Sequence, residues 1–269
     1  MTAGHPRLAV LGAGRMGQAI IAGLLDSGWA PDRITAAEAH EPTADQVRQH
    51  LGIEVRAAVD AVDGAEVVLV AVKPHHVGQV LDQVAERLGA GTTVVSIAAG
   101  VPTATLCAHV RPGTAVVRVM PNTPSLVGRG MAALSPAPGC PPESLELARG
   151  ILAAVGEVVV VPESMQDAVT AVSGSGPAYV FLLAEAMIDA GVLVGLPRTL
   201  AHDLTVQTLL GAATMLRDSG DHPAVLRENV TSPGGTTAAA LHVLEDAAVR
   251  AAIANAIRAA RDRSAELGG

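Results

Sequence analysis

Aromatic side chains are almost absent from this sequence, in which Trp, Tyr and Phe each occur once. The core must therefore be built from Ala, Val, Leu and Ile, which favour close packing of helices against helices and sheets. Hydrophobic residues make up 49% of the 269 positions and charged residues 16%. This composition is that of a globular chain and excludes a disordered one.

Long hydrophobic runs are also missing. No apolar run reaches the roughly 18 residues that a membrane-spanning helix needs, and the longest, such as residues 67–72, have the length of a strand. The start of the chain lacks the basic and apolar regions of a signal peptide. We therefore expect a cytoplasmic protein with no membrane partner. Apolar surface hidden between subunits would account for the high mean hydropathy of +0.39.

Positive charge and cysteine are scarce. The net charge of −8 argues against nucleic acid or an anionic membrane as partner. Lys73 is the single lysine among 18 basic residues. Cys107 and Cys140 show neither Cys-x-x-Cys nor metal-ligand spacing, so we expect buried free thiols, a reducing compartment and no metal site.

Strand-like and helical segments alternate as far as Pro162, and only helical spacing follows. This order predicts a Rossmann-type doubly wound parallel sheet followed by an all-α C-terminal dimerisation domain. The predicted domains are 1–162 and 163–269. The predicted strands are Arg7–Leu11, Arg33–Glu38, Glu66–Val72, Thr93–Ala98, Ala115–Met120, Met131–Ser135 and Glu157–Val161. The predicted helices are Met16–Ser27, Ala44–Leu51, Val77–Leu88, Ala104–His109, Ser144–Val155, Pro177–Val194, Thr199–Asp218 and Thr236–Glu266.

A glycine triplet follows the first predicted strand and opens the first predicted helix. Gly12 permits the tight turn, Gly14 lets a pyrophosphate approach the backbone, and Gly17 lets helix and strand pack closely. The helix N-terminus offers N–H groups and a positive dipole end to phosphates. The residues predicted to bind a dinucleotide here are Leu11, Gly12, Ala13, Gly14, Arg15, Met16 and Gly17.

Three further segments extend this predicted site. Glu38 closes the second strand, where an acid accepts a hydrogen bond from the ribose 2′-OH and repels a 2′-phosphate, which favours NADH. His40, Arg15 and Arg48 could still accommodate NADPH, so the cofactor is NADPH or NADH. The ends of the next two strands should flank the nicotinamide, because ligands lie beyond the carboxyl ends of parallel strands. These segments contain Ala71, Val72, Lys73, Pro74, Ala98 and Ala99.

Three turns rich in Gly, Pro and hydroxyl groups indicate a second binding site. They are residues 120–124, 173–177 and 232–237. The last leads through Gly234 and Gly235 into a long helix, an arrangement suited to a carboxylate or phosphate. The alternative is that Ser232 or Thr236 only caps that helix.

No pair of carboxylates, His–Ser–Asp order or metal cluster stands out in the sequence. Glycines and hydroxyls without a general acid suit a substrate that arrives already activated, such as a protonated imine. The cofactor would then carry the chemistry, and the protein would orient the reactants.

The sequence resembles pyrroline-5-carboxylate reductases over essentially its whole length. The block Leu226–Leu241, which contains Asn-Val-Thr-Ser-Pro-Gly-Gly-Thr-Thr, is close to a signature of that family. The other matching motifs are Gly12–Gly17, Ala71–Pro74, Val95–Gly100, Arg118–Pro124 and Val172–Tyr179. The resemblance implies NAD(P)H-dependent reduction of 1-pyrroline-5-carboxylate to L-proline, the final step of proline biosynthesis.

The resemblance also implies roles for individual residues. The substrate-binding residues would be Ser232, Gly234, Gly235, Thr236 and Thr237, the catalytic residues Thr237 and Ser175, and further cofactor contacts Asn122 and Asn229. It implies a homodimer with intertwined helical domains, in which Asn229 reaches the neighbouring chain's cofactor, and it leaves open whether such dimers assemble into a decamer. Glu38 and Ala58 depart from common family patterns, which leaves the NADPH preference and one ribose contact open.

Two other functions are alternatives to this reduction. A β-hydroxyacid dehydrogenase also joins a Rossmann domain to a helical one, but its catalytic lysine lies in the helical domain, where this chain has none. A non-catalytic NAD(P)-binding redox sensor would leave the hydroxyl-rich turn at residues 232–237 without a purpose.

Overall fold

The structure is a computed structural model that describes residues 5–268. One sheet contains eight strands in the order β3-β2-β1-β4-β5-β6-β7-β8. The strands are β1 (Leu8–Leu11), β2 (Ile34–Ala37), β3 (Glu54–Arg56), β4 (Val67–Val70), β5 (Thr93–Ser96), β6 (Ala115–Met120), β7 (Gly130–Pro136) and β8 (Gly156–Val160).

Helices connect most of the strands and then follow the sheet. They are α1 (Arg15–Asp26), α2 (Glu41–Leu51), α3 (Ala58–Ala61), α4 (Val77–Val84), α5 (Thr103–Ala108), α6 (Pro142–Ala153), α7 (Gln166–Val169), α8 (Gly176–Leu193), α9 (Arg198–Asp218), α10 (Pro223–Asn229), α11 (Thr236–Asp246) and α12 (Val249–Gly268). A π-helical turn, Thr170–Gly174, separates α7 from α8.

The sheet is covered on both faces, as its nearly all-apolar strands require. On one face, Ile20 and Ile21 of α1 and Ile151 of α6 pack with alternate residues of the central strands. On the other face, Leu81 of α4 and Leu106 of α5 pack with the intervening strand residues. The two apolar clusters form the doubly wound arrangement predicted from the sequence.

The direction of strand order reverses between β1 and β4. From β1 the chain proceeds to β2 and β3 on one side, and β4, β5 and β6 follow on the other, all parallel. In open α/β sheets the crevice at such a reversal, beyond the carboxyl ends of the strands, is where ligands bind. The glycine turn that follows β1 lies at this point.

One feature of the predicted sheet is wrong, because the sheet is not wholly parallel. Strand β7 pairs antiparallel with β6 and parallel with β8. Only residues 121–129 connect β6 to β7. A parallel return needs a crossover of a dozen or more residues, whereas a short connection joins antiparallel neighbours. The last two strands therefore run against the other six.

The long helix predicted over Thr236–Glu266 is interrupted. Helix α11 ends at Asp246 and α12 begins at Val249. Between them Ala248 adopts a φ of 54°, a left-handed conformation that only Ala248 shows among the described non-glycine residues. Helix breaks are usually signalled by Gly or Pro, and Ala-Ala gives no such signal. Arg250 bridges the break through hydrogen bonds of its Nε to both carboxylate oxygens of Glu245.

Several short elements were not anticipated. They are β3, α3, α7, α10 and the π-helical turn, and the helix predicted to reach Leu88 ends at Val84 before a 3₁₀ turn, Ala85–Arg87. Each is shorter than the window over which hydrophobic periodicity is readable. In the described residues no strand follows Pro162, as predicted.

The chain divides into two compact units. The first contains the residues up to Ser175 together with those from Ala260 onward, and the second is Gly176–Ala259. Within the second unit α8 and α9 pack closely, because a Cβ at Gly191 would lie 3.0 Å from the Cβ of Ala201. A domain boundary at Pro162 remains a prediction.

One stretch of the described chain, Glu163–Leu193, is long and apolar enough to cross a membrane, judged by length and composition alone. Its most apolar window has a mean hydropathy of 1.4, and none of it is buried. It is not one uniform helix, because it includes a 3₁₀ turn, α7, the π-helical turn and α8. An exposed apolar surface of this size requires a partner of some kind.

Candidate active site

The turn after β1 can be formed only with glycine at its first position. Gly12 has a φ of +93°, and a Cβ there would lie 2.9 Å from the Ala71 carbonyl carbon and 2.9 Å from the Val72 nitrogen. The Ala71 N–H donates to the Leu11 carbonyl at 2.8 Å. The glycine turn and the end of β4, predicted separately as cofactor segments, are therefore in direct contact.

The other two glycines of the triplet have different surroundings. A Cβ at Gly17, which is buried in α1, would lie 2.5 Å from the backbone oxygen of Gly12. A Cβ at Gly14 would meet nothing within 4 Å. Gly17 is thus required by the packing of the turn. Gly14, the N-cap of α1, faces open space beside the helix N-terminus, where an anion can approach the backbone.

Glu38 lies beside the glycine turn, held by two backbone N–H groups. Its Oε2 accepts a hydrogen bond from the Ala13 N–H at 2.9 Å, and its Oε1 accepts one from the His40 N–H at 2.9 Å. The side chain is half-buried. The carboxylate is therefore fixed at the carboxyl end of β2, where an acid contacts the ribose of a bound dinucleotide.

The basic groups that could accommodate a 2′-phosphate are partly engaged. Arg48 donates through Nη1 to Glu41 at 2.7 Å and to Asp45 at 2.8 Å. The pKa of Arg48 is raised above its usual range, and the hydrogen bond to Glu41 contributes most to this rise. The His40 ring nitrogen Nδ1 lies 2.8 Å from the Thr43 hydroxyl.

The carboxyl ends of β4 and β5 form the remainder of the predicted cofactor edge. Lys73 and Pro74 are exposed where β4 gives way to a 3₁₀ turn, Pro74–His76. Beyond β5, Ala98 is buried and donates its N–H to the Ser96 hydroxyl at 3.3 Å, while Ala99 is exposed. Since β4 and β5 are adjacent and parallel, the two segments emerge at the same edge as the glycine turn.

The hydroxyl-rich turn of the second unit is arranged around Gly235. Gly234 has a φ of 68°, and the Gly235 N–H donates to the Ser232 carbonyl at 3.0 Å. A Cβ on Gly235 would collide with the Ser232 hydroxyl. Gly235 is itself the N-cap of α11, so the alternative in which Ser232 or Thr236 caps this helix is wrong.

The hydroxyls of this turn differ in exposure. Ser232 and Thr236 are exposed and Thr237 is half-buried in the first turn of α11. Because the N-cap is a glycine, no cap side chain occupies the helix N-terminus, and its positive dipole end is available to an anion. Asn229 is the exposed last residue of α10, which precedes this turn.

The segment before α8 contains Ser175, one of the two predicted catalytic residues. The Ser175 N–H donates to the Thr170 carbonyl at 2.8 Å, the wide spacing of a π-helical turn. π-helical turns occur frequently at functional sites. Asn122 hydrogen-bonds with Ser173 of the same turn rather than standing free.

A half-buried ion pair between Glu163 and Arg118 connects the chain just before α7 to strand β6 of the sheet. Glu163 accepts from the Thr103 N–H at 2.7 Å, from the Thr103 hydroxyl at 2.5 Å and from Arg118 Nη1 at 3.1 Å. Burial opposes its ionisation, but these hydrogen bonds outweigh burial and hold the pKa of Glu163 below its usual range. The partners are at least 45 residues apart in sequence, so no local pattern could have revealed them.

The two cysteines are free thiols, but only one is sheltered. Cys140 is half-buried and Cys107 is exposed on the outer side of α5, whose Leu106 points into the core. The expectation that both are buried is therefore wrong for Cys107. Burial raises the pKa of the Cys140 thiol. Within residues 5–268 no group of three or more His, Cys, Asp or Glu side chains could hold a metal ion.

Known protein families match both parts of the chain. Residues 163–267 match the family described as "Pyrroline-5-carboxylate reductase dimerisation". Residues 7–100 match the family described as "NADP oxidoreductase coenzyme F420-dependent". The site and the fold together define a dinucleotide-dependent oxidoreductase with a helical dimerisation domain.

Full-length relatives identify the family. A pyrroline-5-carboxylate reductase of Synechocystis is 45% identical, over 97% of this chain and 98% of its own. One from Arabidopsis thaliana is 40% identical, over 97% and 95%. The solved pyrroline-5-carboxylate reductase of Coxiella burnetii is 35% identical with a TM-score of 0.94, covering 98% of this chain and 99% of its own. This chain belongs to the pyrroline-5-carboxylate reductase family.

Proposed function

We propose that this protein reduces 1-pyrroline-5-carboxylate to L-proline with NAD(P)H, the final step of proline biosynthesis, in the cytoplasm. The observation that carries the proposal is the pair of uncapped helix N-termini. One, at Gly14 of α1, suits a pyrophosphate, and the other, at Gly235 of α11, suits a carboxylate. Full-length relatives named for this activity support it.

The residues around the glycine turn fit a dinucleotide. A Cβ on Gly14 would enter the open space in which the pyrophosphate would lie. The carboxylate of Glu38, held by the Ala13 N–H, would face the ribose. Bound NAD(P)H would supply the hydride that adds to the C=N carbon. The other residues proposed to contact the cofactor are Leu11, Gly12, Ala13, Arg15, Met16, Gly17, Ala71, Val72, Lys73, Pro74, Ala98, Ala99 and Asn229.

The turn at residues 232–237 would bind and orient the substrate. Ser232 and the Thr236 N–H would hold the carboxylate beside Gly235, at the positive end of α11, with Gly234 giving the turn its left-handed bend. The Gly235 N–H already donates to the Ser232 carbonyl and shapes the turn. The imine arrives protonated, so its carbon accepts a hydride without a protein acid. The chain's contribution is orientation, which can be worth several orders of magnitude in rate.

Thr237 and Ser175 are the residues proposed to touch the reacting ring. Thr237 carries its hydroxyl on a half-buried position of α11, suited to hold the ring nitrogen by a hydrogen bond. We expect Thr237→Val, which keeps the shape and removes the hydroxyl, to lower kcat for pyrroline-5-carboxylate roughly tenfold to a hundredfold. The dissociation constant of the dinucleotide, measured by fluorescence titration, should stay nearly unchanged.

The matched control for this variant is Thr214→Val. Thr214 lies on α9, and its hydroxyl donates to the Leu210 carbonyl of its own helix. It should have kcat and KM close to those of the parent protein. Unchanged kinetics in Thr237→Val would remove this hydroxyl from the mechanism.

Two copies of the chain are proposed to pair through intertwined helical domains. Large apolar side chains stand exposed along α8 and α9, including Phe181 at 67% and Leu193 at 87%. A soluble monomer rarely leaves so much contiguous apolar surface in water. The family match over residues 163–267 names this region for dimerisation, which also gives the apolar stretch Glu163–Leu193 a protein partner instead of a membrane. Assembly of such dimers into a decamer remains a prediction.

Sedimentation velocity tests the pairing. We expect a dimer or a multiple of dimers at all accessible protein concentrations. Leu182→Asp, at an exposed position of α8, should shift the protein to smaller species, because burying a carboxylate in an apolar interface is strongly unfavourable. Leu126→Asp, on an exposed apolar site of the first unit, serves as the control. A monodisperse parent monomer would contradict the proposed pairing.

The two other functions are less well supported. Lys73, the single lysine, lies at the end of β4 in the first unit, so the second unit offers no lysine for a β-hydroxyacid dehydrogenase mechanism. A redox sensor without catalysis would have no use for the second uncapped helix.

A further inference from the structure

The loop between β6 and β7 is fixed to the strand that follows it. The side-chain Oδ1 of Asn122 accepts a hydrogen bond from the Met131 N–H at 2.9 Å. Close packing holds the far end of the loop, because a Cβ at Gly130 would lie 2.9 Å from the Cα of the buried Ser125. The backbone that carries Asn122 is therefore attached at both ends.

The orientation of the Asn122 amide follows from these contacts. A backbone N–H can only donate, so the atom facing Met131 must be the oxygen, and Nδ2 must point the other way. There it donates to Ser173, at 3.3 Å from the carbonyl oxygen and 3.2 Å from the hydroxyl. Both ends of the half-buried amide are thus used within the protein.

Ser173 belongs to the π-helical turn Thr170–Gly174, whose position is fixed on two further sides. Gly174 lies against the end of β6, where a Cβ would be 2.5 Å from Met120 Cε. Upstream, buried Gln166 donates through Nε2 to the Ser135 hydroxyl at 2.7 Å and accepts on its backbone carbonyl from the Thr170 hydroxyl at 2.8 Å. Of these attachments, only the one from Asn122 is a hydrogen bond to Ser173, two residues before Ser175.

We propose that Asn122 is a positioning residue that acts through Ser173, fixing the π-helical turn and with it Ser175, rather than a residue that binds the cofactor. This inference rests on the proposed function for the role of Ser175. π-helical turns are rare and occur mostly as single turns, frequently at functional sites. Since the only hydrogen bonds described from the β6–β7 loop to this turn leave Asn122 Nδ2, the donor is the property that matters at this position.

The decisive variant is Asn122→Asp, which keeps the shape and the acceptor for Met131. Its second oxygen faces the Ser173 carbonyl, and because an ordinary aspartate is ionised above about pH 5, the variant loses the donor and repels the turn under assay conditions. We expect kcat of the variant at about pH 7.5 to be about tenfold lower than kcat of the parent. KM for the dinucleotide should not change.

Two further variants complete the kinetic test. Asn122→Ala removes the donor without adding a charge, so its kcat should also be lower than that of the parent. Asn255→Asp places the same new charge on exposed α12 and should leave kcat close to that of the parent. A role for Asn122 in shape alone would leave kcat of Asn122→Asp close to that of the parent, and a direct cofactor contact would change KM for the dinucleotide. Either result would overturn the inference.

Hydrogen–deuterium exchange provides a readout that does not need catalysis. Peptides covering residues 170–176 should exchange faster in Asn122→Asp and Asn122→Ala than in the parent and in Asn255→Asp at about pH 7.5. Unchanged exchange in Asn122→Asp would overturn the inference. If the parent protein does not reduce pyrroline-5-carboxylate, the proposed function fails, and this exchange comparison still decides whether Asn122 fixes the turn.

Discussion

Replacing Gly14 by Ala is expected to abolish tight dinucleotide binding and leave the fold intact, while replacing Gly17 by Ala should damage the fold itself. A methyl group on Gly14 meets no protein atom within 4 Å and its backbone is already extended. It would instead occupy the space that a pyrophosphate needs. We expect the dissociation constant of NAD(P)H to rise roughly a hundredfold, which corresponds to about 2.8 kcal/mol of binding free energy.

The free energy of unfolding should fall by different amounts in Gly14→Ala and Gly17→Ala. Ala is a poorer N-cap than Gly, so Gly14→Ala should lose less than about 1 kcal/mol. At Gly17 the new Cβ would lie 2.5 Å from the Gly12 backbone oxygen, and relieving that overlap should cost about 1–3 kcal/mol or more. Denaturant unfolding and cofactor titration on both variants provide the measurement. Equal losses of stability would show that Gly14 is only structural.

The choice between NADH and NADPH should depend on Glu38. Its carboxylate is fixed by the Ala13 and His40 N–H groups at the carboxyl end of β2, where an acid would attract a ribose 2′-hydroxyl and repel a 2′-phosphate. We therefore expect kcat/KM to be higher with NADH. In Glu38→Ser, kcat/KM for NADH should fall about tenfold and that for NADPH should rise about tenfold or more, the size of one charge-assisted hydrogen bond.

Two companion variants isolate the charge of Glu38. Glu38→Gln keeps the length and one acceptor for the Ala13 N–H, so it should recover NADPH use while retaining part of the NADH activity. Glu54→Ser removes an exposed carboxylate from neighbouring β3, where it pairs with Arg56, and should leave the cofactor ratio unchanged. If the ratio of kcat/KM for NADH to kcat/KM for NADPH were the same in Glu38→Ser as in the parent, this carboxylate would not contact the ribose.

The local parts of the fold were predictable from sequence because they are determined by short-range patterns. The apolar run ending at Leu11, followed by glycines at fixed spacing, can be read without tertiary information. The contact of Gly12 with Ala71 was implied only indirectly, through the general position of ligands at the edge of parallel sheets. For this reason the predicted cofactor segments are found together.

The rest depended on contacts between distant residues. The reversed direction of β7 follows from a short loop and a pairing that periodicity does not report. The break at Ala248 has no Gly or Pro to signal it, and the pairing of Asn122 with Ser173 joins residues 51 positions apart. A hydrogen-bond partner at that separation leaves no trace in a single sequence, so the positioning role proposed for Asn122 could not be predicted from the sequence.

One assay tests the proposed reaction most directly. The parent protein is incubated with 1-pyrroline-5-carboxylate and either NADH or NADPH, and both cofactor absorbance and L-proline are measured. We expect one molecule of proline for each cofactor oxidised, with faster turnover for NADH. Absence of proline with both cofactors, under conditions where the dinucleotide binds, would contradict the proposed function.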